Sequence, residues 1–440
     1  MFSRDVCRRL YGVLAVLAVL VPLGVTSAQD TITLDFYYPT AVDGPIAQIL
    51  EEYAQQFEAE NPGIDVNPIY TGSYVDTRQA IQTEIQGGGT GPDVAVMLAT
   101  DIFSLAEEGY VVPVQQFIDQ MEDPEAFVSD FYESLMVNSV DEEGTIWSIP
   151  FQRSTPILYY NKDMFREAGL DPEQPPRNRD ELVEYAQKLT LPNGERWGLM
   201  VAIAGDFPIW LFQSFVMANG QNLVEESPAK VYLNTPEAVD ALKFLIDLGS
   251  TYRVQPEGGT SWGDTPTAFT SGQAAMIYHT VGSLTSILQN ADFEVGVGYL
   301  PSGPAGEDGT GYGTPTGGGN LYIFANSTPE EQEAAWKWVQ FLASPEIQAD
   351  WGAKTGYIAA RRSAWETDIL QELVAQYPQY AVARDQLEIA GKEFTSYRAI
   401  DVQNIINNTV SSILAGERTD IETALAEAQA QIDSLLAEYQ

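Results

Sequence analysis

The sequence predicts an α/β protein of two lobes, each built on a mostly parallel sheet with helices on its faces. Two observations carry this prediction. Strand and helix patterns alternate as β-α-β-α-β between residues 31 and 97, and the same alternation returns after residue 145. Further strand patterns appear late in the chain. We therefore expect the chain to cross between the lobes several times.

The first lobe begins with a strand at 31–37, where apolar and polar residues alternate. Pro45 starts a helix that keeps apolar residues at helical spacing to Phe57 and ends at an Asn-Pro-Gly sequence. A strand over 64–70, a helix over 74–86 that ends in three glycines, and a buried strand over 93–97 follow. This order predicts parallel strands joined by helices.

The second lobe repeats the pattern, with a strand over 156–160, a helix over 179–189 and a strand over 198–202. Later strand patterns lie at 272–278, 293–300 and 320–324. Thr328 and Glu331 form a capping box before a helix that reaches residue 342, and Ser344-Pro345 starts another helix. The last amphipathic helix should pack on the second lobe; its apolar face carries Ile421, Leu425, Ala428, Ile432 and Leu435.

The first 28 residues are typical of a cleaved secretory signal. Three arginines precede an apolar stretch from about 13 to 25, and small residues end at Ala28. The alternative is a membrane anchor, but the apolar stretch is shorter than the ~20 residues a spanning helix needs. Cys7 precedes the apolar stretch, which disfavours a lipid anchor and leaves the mature chain without cysteine. We predict an exported protein, periplasmic or extracellular, cleaved near Ala28.

The charge is strongly acidic: 62 acidic against 22 basic residues give a formal net charge of -40. Nucleic acid is a poor partner for such a chain, because phosphate binding needs a basic face. The charge says little about a small solute, which responds to the groups of its own cleft.

Enzymatic chemistry is poorly supported. The chain has one histidine, His279, and no Gly-x-Ser-x-Gly motif, so a hydrolase triad is disfavoured. The same histidine and the lack of cysteine disfavour zinc, and we predict neither metal nor cofactor. The glycines of 311–319 precede a strand, whereas a dinucleotide fingerprint opens a helix. A carboxylate pair for glycoside hydrolysis remains a minor alternative, because the fold sets its spacing.

Residues 151–172 are the most informative stretch. Ser-Thr-Pro-Ile-Leu-Tyr-Tyr-Asn-Lys-Asp starts at Ser154, and Gly-Leu-Asp-Pro-Glu-Gln-Pro-Pro follows from Gly169. This stretch resembles the hinge-crossing segment of the extracellular solute-binding proteins of ABC importers, in particular their glycerol-3-phosphate-binding members. Further matches cover essentially the mature chain: Tyr70-Thr-Gly-Ser-Tyr74, Ala275-Met276 with Gly282-Ser283-Leu284, the glycines before Asn320, and Lys354-Thr-Gly-Tyr357.

The resemblance implies a two-lobed periplasmic-binding-protein fold, type II-like, with the ligand in the cleft between lobes. We expect a discontinuous N-terminal lobe of 29–140 plus 284–327 and a C-terminal lobe of 141–283 plus 328–440. The resemblance also places the late strands in or near the first sheet. The implied partners are a small-molecule solute and the transmembrane subunits of an ABC permease, with the binding protein a monomer.

Five ligand contacts carry over by resemblance: Tyr74, Ser154, Thr280 (serine in the family), Gly318 and Tyr357. Hydroxyls and a glycine amide suit sugar or phosphate oxygens. From the residues themselves we add an arginine beside the hinge and three aromatic side chains that could stack on a sugar ring: Arg153, Tyr38, Trp210 and Trp262.

Two positions depart from the family. Its acidic residue for the glycerol hydroxyls is replaced by Ala99, with Asp101 nearby, and its phosphate-binding arginine by Asn407. A bidentate arginine is hard to replace for a phosphate dianion. Arg153 is the first candidate for this charge, with a hinge salt bridge as its alternative role, and Arg361, Arg362 and Arg398 are further candidates. The resemblance favours glycerol 3-phosphate or a glycerophosphodiester as the solute, then an oligosaccharide or other sugar, with a secreted carbohydrate-active enzyme as a minor alternative.

Overall fold

The computed structural model describes residues 31–204, 208–225, 227–301, 303 and 313–440. The predicted signal, 1–28, lies outside the described residues. In chain order, the strands among the described residues are β1 Ile32–Tyr38, β2 Ile64–Tyr70, β3 Val94–Leu98, β4 Val111–Val112, β5 Ile149–Ser154, β6 Pro156–Asn161, β7 Met200–Val201, β8 Met276–Thr280, β9 Val295–Gly298, β10 Thr314–Pro315, β11 Gly317–Phe324 and β12 Ala390–Gly391.

The helices surround two larger sheets, and β10 and β12 form a separate parallel pair. The helices are α1 Ile46–Glu60, α2 Tyr74–Gln86, α3 Ile102–Glu107, α4 Gln115–Ile118, α5 Pro124–Ser129, α6 Glu133–Met136, α7 Lys162–Glu167, α8 Arg179–Leu189, α9 Pro208–Ala218, α10 Pro236–Ser250, α11 Asp264–Thr270, α12 Leu284–Asn290, α13 Pro329–Leu342, α14 Pro345–Thr355, α15 Asp368–Gln376, α16 Gln379–Gln386, α17 Ala399–Leu414 and α18 Ile421–Leu435. The capping box predicted before α13 is present, with Thr328 and Glu331 bonded reciprocally.

The first sheet has the strand order β2-β1-β3-β11-β4, and β5 also pairs with β11. β1 is parallel to β2 and β3, as predicted, but β11 is antiparallel to β3, β4 and β5. The expectation of a mostly parallel sheet is therefore wrong for this half. The cause is the route of the chain: β5 leaves the sheet towards the other lobe, and β11 returns from it at the same edge, so the two run in opposite directions.

The second sheet has the order β7-β8-β6-β9 and is mixed as well. β7 and β8 are parallel, whereas β6 is antiparallel to β8 and β9. β6 enters directly from the first lobe and runs away from it, and β8 runs back and ends at Thr280. The carboxyl ends of β3, β5 and β8 consequently approach the junction between the lobes, where α/β proteins place ligands.

Several expected lobe boundaries are shifted. Residues 149–154 pair with the first sheet although we assigned them to the second lobe, and β9 pairs with β6 although we assigned 284–327 to the first lobe. β8 also lies in the second sheet, not near the first as the resemblance implied. α13 and α14 bury Trp338 and Trp351 in the first-lobe core, whereas α17 and α18 pack in the second, as expected for the last helix. Apolar periodicity shows that a face is buried, but does not identify the lobe that buries it.

The crossings between lobes are tied together by buried side chains. Thr155 separates β5 from β6, and its hydroxyl donates to the Pro315 carbonyl beside β11 (3.2 Å). Gln386, at the end of α16, donates from Nε2 to Thr155 Oγ1 (2.9 Å) and to the Pro156 carbonyl (2.8 Å). The crossing segments thus form one connected hinge.

Candidate functional site

A cavity of about 400 Å³ lies at the junction between the lobes. The first lobe contributes α2 and the end of β3, the second contributes β8, α9 and α17, and the crossing strands β5 and β11 form its floor. Seven of the nine predicted site residues line it: Tyr74, Ser154, Trp210, Trp262, Thr280, Gly318 and Tyr357. Residues from distant parts of the chain therefore meet in one cleft, as the resemblance implied.

Three hydroxyl groups face this cavity from buried positions. The side chains of Ser154 and Tyr357 make no hydrogen bond within the described part of the chain, so both hydroxyls are free to bind a ligand. Thr280 Oγ1 accepts from the Gly282 amide (3.1 Å), which leaves its O–H available as a donor. Burial raises the pKa of Tyr357 above its ordinary range, so its phenol stays protonated.

Tyr74 and Gly318 shape the floor. Tyr74 donates its hydroxyl to Gln152 Oε1 (2.9 Å), so it presents mainly its ring to the cavity. Gly318 has φ +93°, and a Cβ there would lie 2.0 Å from the Gln152 carbonyl oxygen. Only glycine fits this conformation and this close approach.

Trp210 and Trp262 form an angled aromatic wall, with ring centroids 5.8 Å apart and planes at 59°. Trp210 Nε1 donates to the Thr316 carbonyl (2.9 Å). Trp262 Nε1 donates to the carbonyl of Ala41 in the first lobe (3.0 Å). Its ring lies against that of His279, with centroids 4.0 Å apart and planes tilted by 34°. His279 is buried between Ser283 Oγ and the Trp262 carbonyl, and burial lowers its pKa to about 4. The histidine thus supports Trp262 and does not line the cavity.

Two of the predicted residues lie outside the cavity wall. Tyr38 is buried against Phe36 and Tyr70, because it ends a strand whose inward face packs in the first-lobe core. Arg153 is fully buried and donates to the Gly318 carbonyl and to Thr316 Oγ1, both at 3.0 Å. Its Nη1 also lies 3.9 Å from Glu393 Oε2. This geometry agrees with a salt bridge at the hinge, which is one of the two roles predicted for Arg153.

The other candidate arginines do not supply a ligand charge either. Arg361 pairs with Asp130 (2.6 Å) and Arg398 with Asp401 (2.6 Å). Arg362 lies over the ring of Tyr132. None of the three lines the cavity.

Sequence reasoning missed Arg78 and Glu393, and named Asp101 only as a neighbour of Ala99. All three line the cavity and are largely buried. Arg78 pairs with Glu108 (2.6 Å), and burial raises the pKa of Asp101 to about 6 and of Glu393 to about 8. Arg78 follows Tyr74 by four residues on α2, so helical spacing could have found it. Glu393 lies in an irregular segment, where no local pattern points to it.

The structure shows where the two residues that depart from the family pattern, Ala99 and Asn407, lie. Ala99 is buried beside the cavity and does not line it, so Asp101 is the nearby carboxyl that does. Asn407 lines the cavity from α17 and accepts from the Ile209 amide through Oδ1 (3.2 Å). Its amide NH₂ makes no hydrogen bond in the described residues, so it can donate to a ligand.

The described residues contain neither a cluster of metal ligands nor a helix that could span a membrane. Nowhere among them do three or more His, Cys, Asp or Glu side chains converge as a metal site would require. None of the helices there has both the length and the apolar character that crossing a bilayer demands.

The family is decided by sequence comparison. The sequence-family model for the bacterial extracellular solute-binding proteins matches residues 43–349. The chain belongs to this family. It is also 27% identical over 417 residues to the sn-glycerol-3-phosphate-binding periplasmic protein UgpB of Escherichia coli K12, covering 89% of this chain and 90% of the relative. UgpB of Shigella dysenteriae serotype 1 is 28% identical over 415 residues, with the same coverage.

Solved structures of other proteins share the fold. UgpB from Mycobacterium tuberculosis in complex with glycerophosphocholine has a TM-score of 0.79 and 24% identity, covering 92% of this solute-binding protein and 99% of that chain. Maltose-bound MalE3 of T. maritima has a TM-score of 0.78 and 24% identity, covering 92% and 100%. The two-lobed fold predicted from the sequence is confirmed. As a member of this family, the protein is a solute-binding component of an ABC importer.

Proposed function

We propose that this solute-binding protein captures a neutral carbohydrate and delivers it to the permease of its ABC importer. The charge of the cavity carries the proposal. Its two buried carboxyls, Asp101 and Glu393, are matched by one lining arginine, Arg78, which is already paired with Glu108. Arg153 is sealed behind the backbone at Gly318. Among the described residues, the cavity offers a phosphate dianion no cation that lacks a carboxylate partner.

A hydroxylated neutral solute suits the same groups. Carboxyls and side-chain amides accept or donate hydrogen bonds to sugar hydroxyls, and the free hydroxyls of Ser154 and Tyr357 add further partners. The indoles of Trp210 and Trp262 offer apolar faces to the C–H surface of a sugar ring. This arrangement supports placing sugars before glycerol 3-phosphate among the expected solutes.

Capture would proceed by hinge closure. Tyr74 and Asp101 belong to the first lobe, and Thr280, Trp210 and Asn407 to the second. A ligand that contacts both groups binds the closed conformation better than the open one, and so shifts the population towards it. The permease would then distinguish loaded from empty protein by the closed shape.

A glycerophosphodiester is the second candidate, because one observation favours it. Nε and Nη1 of Arg78 are buried and have no hydrogen-bond partner in the described residues. A phosphodiester carries one negative charge instead of two, and a single arginine with free N–H groups can hold it. The relatives named for glycerol 3-phosphate support the same chemistry.

Isothermal titration of the mature protein, refolded to remove bound solute, tests the proposal. The ligands are glucose, maltose and maltotriose, galactose and lactose, and glycerol 3-phosphate with glycerophosphocholine. Micromolar binding of a sugar, about -8 kcal/mol, with no binding of either phosphate compound is expected. Binding of the phosphate compounds alone would overturn the carbohydrate assignment, and the Arg78→Met variant would then be expected to abolish it.

The proposal includes location and assembly. We expect export with cleavage near Ala28, a periplasmic or extracellular location, a monomeric protein and no binding of nucleic acid. We also expect no catalysis: a bound sugar should be recovered unchanged after prolonged incubation, as chromatography would show. Hydrolysis would support the secreted carbohydrate-active enzyme instead.

A further inference from the structure

The cavity extends beyond its predicted residues into a polar mouth between α2 and α17. Ser154, Thr280 and Tyr357 lie at a floor that is at most 4% exposed, whereas Val75 and Ile400 at the outer end are 57% and 40% exposed. The cavity therefore runs from a closed inner end to an open outer end.

Side-chain amides line this outer end from both lobes. Val75, Gln79 and Gln82 follow one face of α2, and Ile400, Gln403 and Asn404 one face of α17. The opposite face of α17 is buried in the second-lobe core. The amide pattern thus lies on helices whose positions are set by core packing, one in each lobe.

The side chains of these four amides are available to a ligand. Across the residues that the structure describes, the side chains of Gln79, Gln82, Gln403 and Asn404 make no hydrogen bond. Each amide offers two donors and an acceptor, and none carries charge. A neutral hydroxylated ligand can use both functions, whereas an anion can use only the donors.

The volume of the cavity favours a ligand that extends from the floor to the amides at the outer end. At ~30 Å³ per water molecule, the cavity holds about 13 waters. Bonded atoms lie closer together than neighbouring waters, so a three-carbon solute of about ten non-hydrogen atoms would leave much of this space unfilled. A solute held only at the floor would leave the amides without a role.

We propose that the amides of α2 and α17 form an outer subsite for a second sugar ring, so that the transported solute is a disaccharide or longer. The inference rests on the proposed function. The hydroxyl and aromatic groups of the inner end hold the first ring, and the amides hold hydroxyls of the second. Val75 and Ile400 cover apolar C–H surface at the mouth.

Paired titrations test the subsite: glucose against maltose, and galactose against lactose. In the pair that binds, the disaccharide should bind at least tenfold more tightly than its monosaccharide. The double variant Gln79→Ala/Gln403→Ala should weaken disaccharide binding at least tenfold and leave the monosaccharide within about twofold, since each lost neutral hydrogen bond costs about fivefold. Gln55→Ala, an exposed amide on α1 outside the cavity, is the matched control and should bind as wild type.

The outcomes separate the two proposals. Equal binding of both members of a pair, or equal weakening of both by the double variant, would overturn the outer subsite and leave sugar capture intact. Failure of all four sugars to bind while glycerophosphocholine binds would overturn sugar capture, and with it the second ring as occupant of the mouth.

Discussion

Replacing Trp262 with phenylalanine should weaken the binding of every solute by a similar factor. The indole N–H of Trp262 donates to the Ala41 carbonyl at 3.0 Å, and these two residues belong to different lobes. Because the bond joins the two lobes, we expect opening of the cleft to break it, so that it stabilises only the closed conformation. Phenylalanine keeps an aromatic ring against His279 and removes the donor.

The magnitude follows from one neutral hydrogen bond. Its net contribution is about 1 kcal/mol, which corresponds to roughly fivefold in the ratio of closed to open protein. For a free protein that is mostly open and a solute that binds tightly only to the closed conformation, the apparent dissociation constant should rise about fivefold. The lost bond joins protein to protein, and the ring of Trp262 faces only the first sugar ring at the inner end, so a monosaccharide and a disaccharide should weaken by the same factor.

Titration calorimetry measures the affinities, and small-angle scattering measures the compaction at saturating sugar. Trp365→Phe is the matched control, because Trp365 Nε1 donates to the Ala359 carbonyl at 2.9 Å within the first-lobe core. It should lower stability but leave affinity unchanged. Unchanged affinity in Trp262→Phe, or a loss that differs between short and long sugars, would refute the assignment of this bond to closure.

Three further predictions concern buried groups. His279 is the chain's one histidine, and burial lowers its pKa to about 4. Between pH 6.5 and about 4, this histidine binds more protons in the unfolded chain than in the folded protein. The free energy of unfolding is therefore unaffected by it above pH 6.5 and falls as the pH drops through this range. The imidazole NMR signal should show no midpoint between pH 5 and 8, and a midpoint above 6 would contradict the burial. Arg153→Met should lower the free energy of unfolding by about 3–6 kcal/mol in urea titrations, because it removes the charged donor of two buried hydrogen bonds, to the Gly318 carbonyl and to Thr316 Oγ1; unaltered stability with lost anion binding would restore a direct ligand role. Gly318→Ala should cost more than the ~1–3 kcal/mol of a strained left-handed residue, since its Cβ meets the Gln152 carbonyl at 2.0 Å. Gly416→Ala, at φ +74° with open space around its Cβ, is the control and should cost only the conformational part.

Local signals predicted most of the elements. The strand at 64–70 and the helices at 74–86 and 179–189 have the predicted bounds. Alternation and helical spacing report burial on one face, and proline, glycine and capping residues mark the ends. The strand β5 was not predicted, because its second half is Gln152-Arg153-Ser154, so neither alternation nor an apolar run marks it although all six residues are buried.

Seven of the nine predicted site residues line one cavity, and their role in ligand binding stays a prediction. Ser154 and Thr280 end strands at the junction of the lobes, where side chains face a cleft. Arg153, next to Ser154 in sequence, points the other way, because successive residues of a strand face opposite sides. Its partner Glu393 comes from the segment between β12 and α17, which no pattern in the sequence connects to it.

The sequence by itself determined where strands and helices form, which hydroxyls and glycines stand at their ends, and which family the chain resembles, because these properties depend on neighbouring residues. The tertiary structure alone decided the antiparallel pairing of β11, the lobe to which β9 and α13 belong, and the pairing of each buried charge. Those features depend on contacts between residues far apart in the chain, where burial makes an unpaired charge costly and so selects its partner. The charge balance of the cavity, on which the proposed sugar ligand rests, is a feature of this second kind.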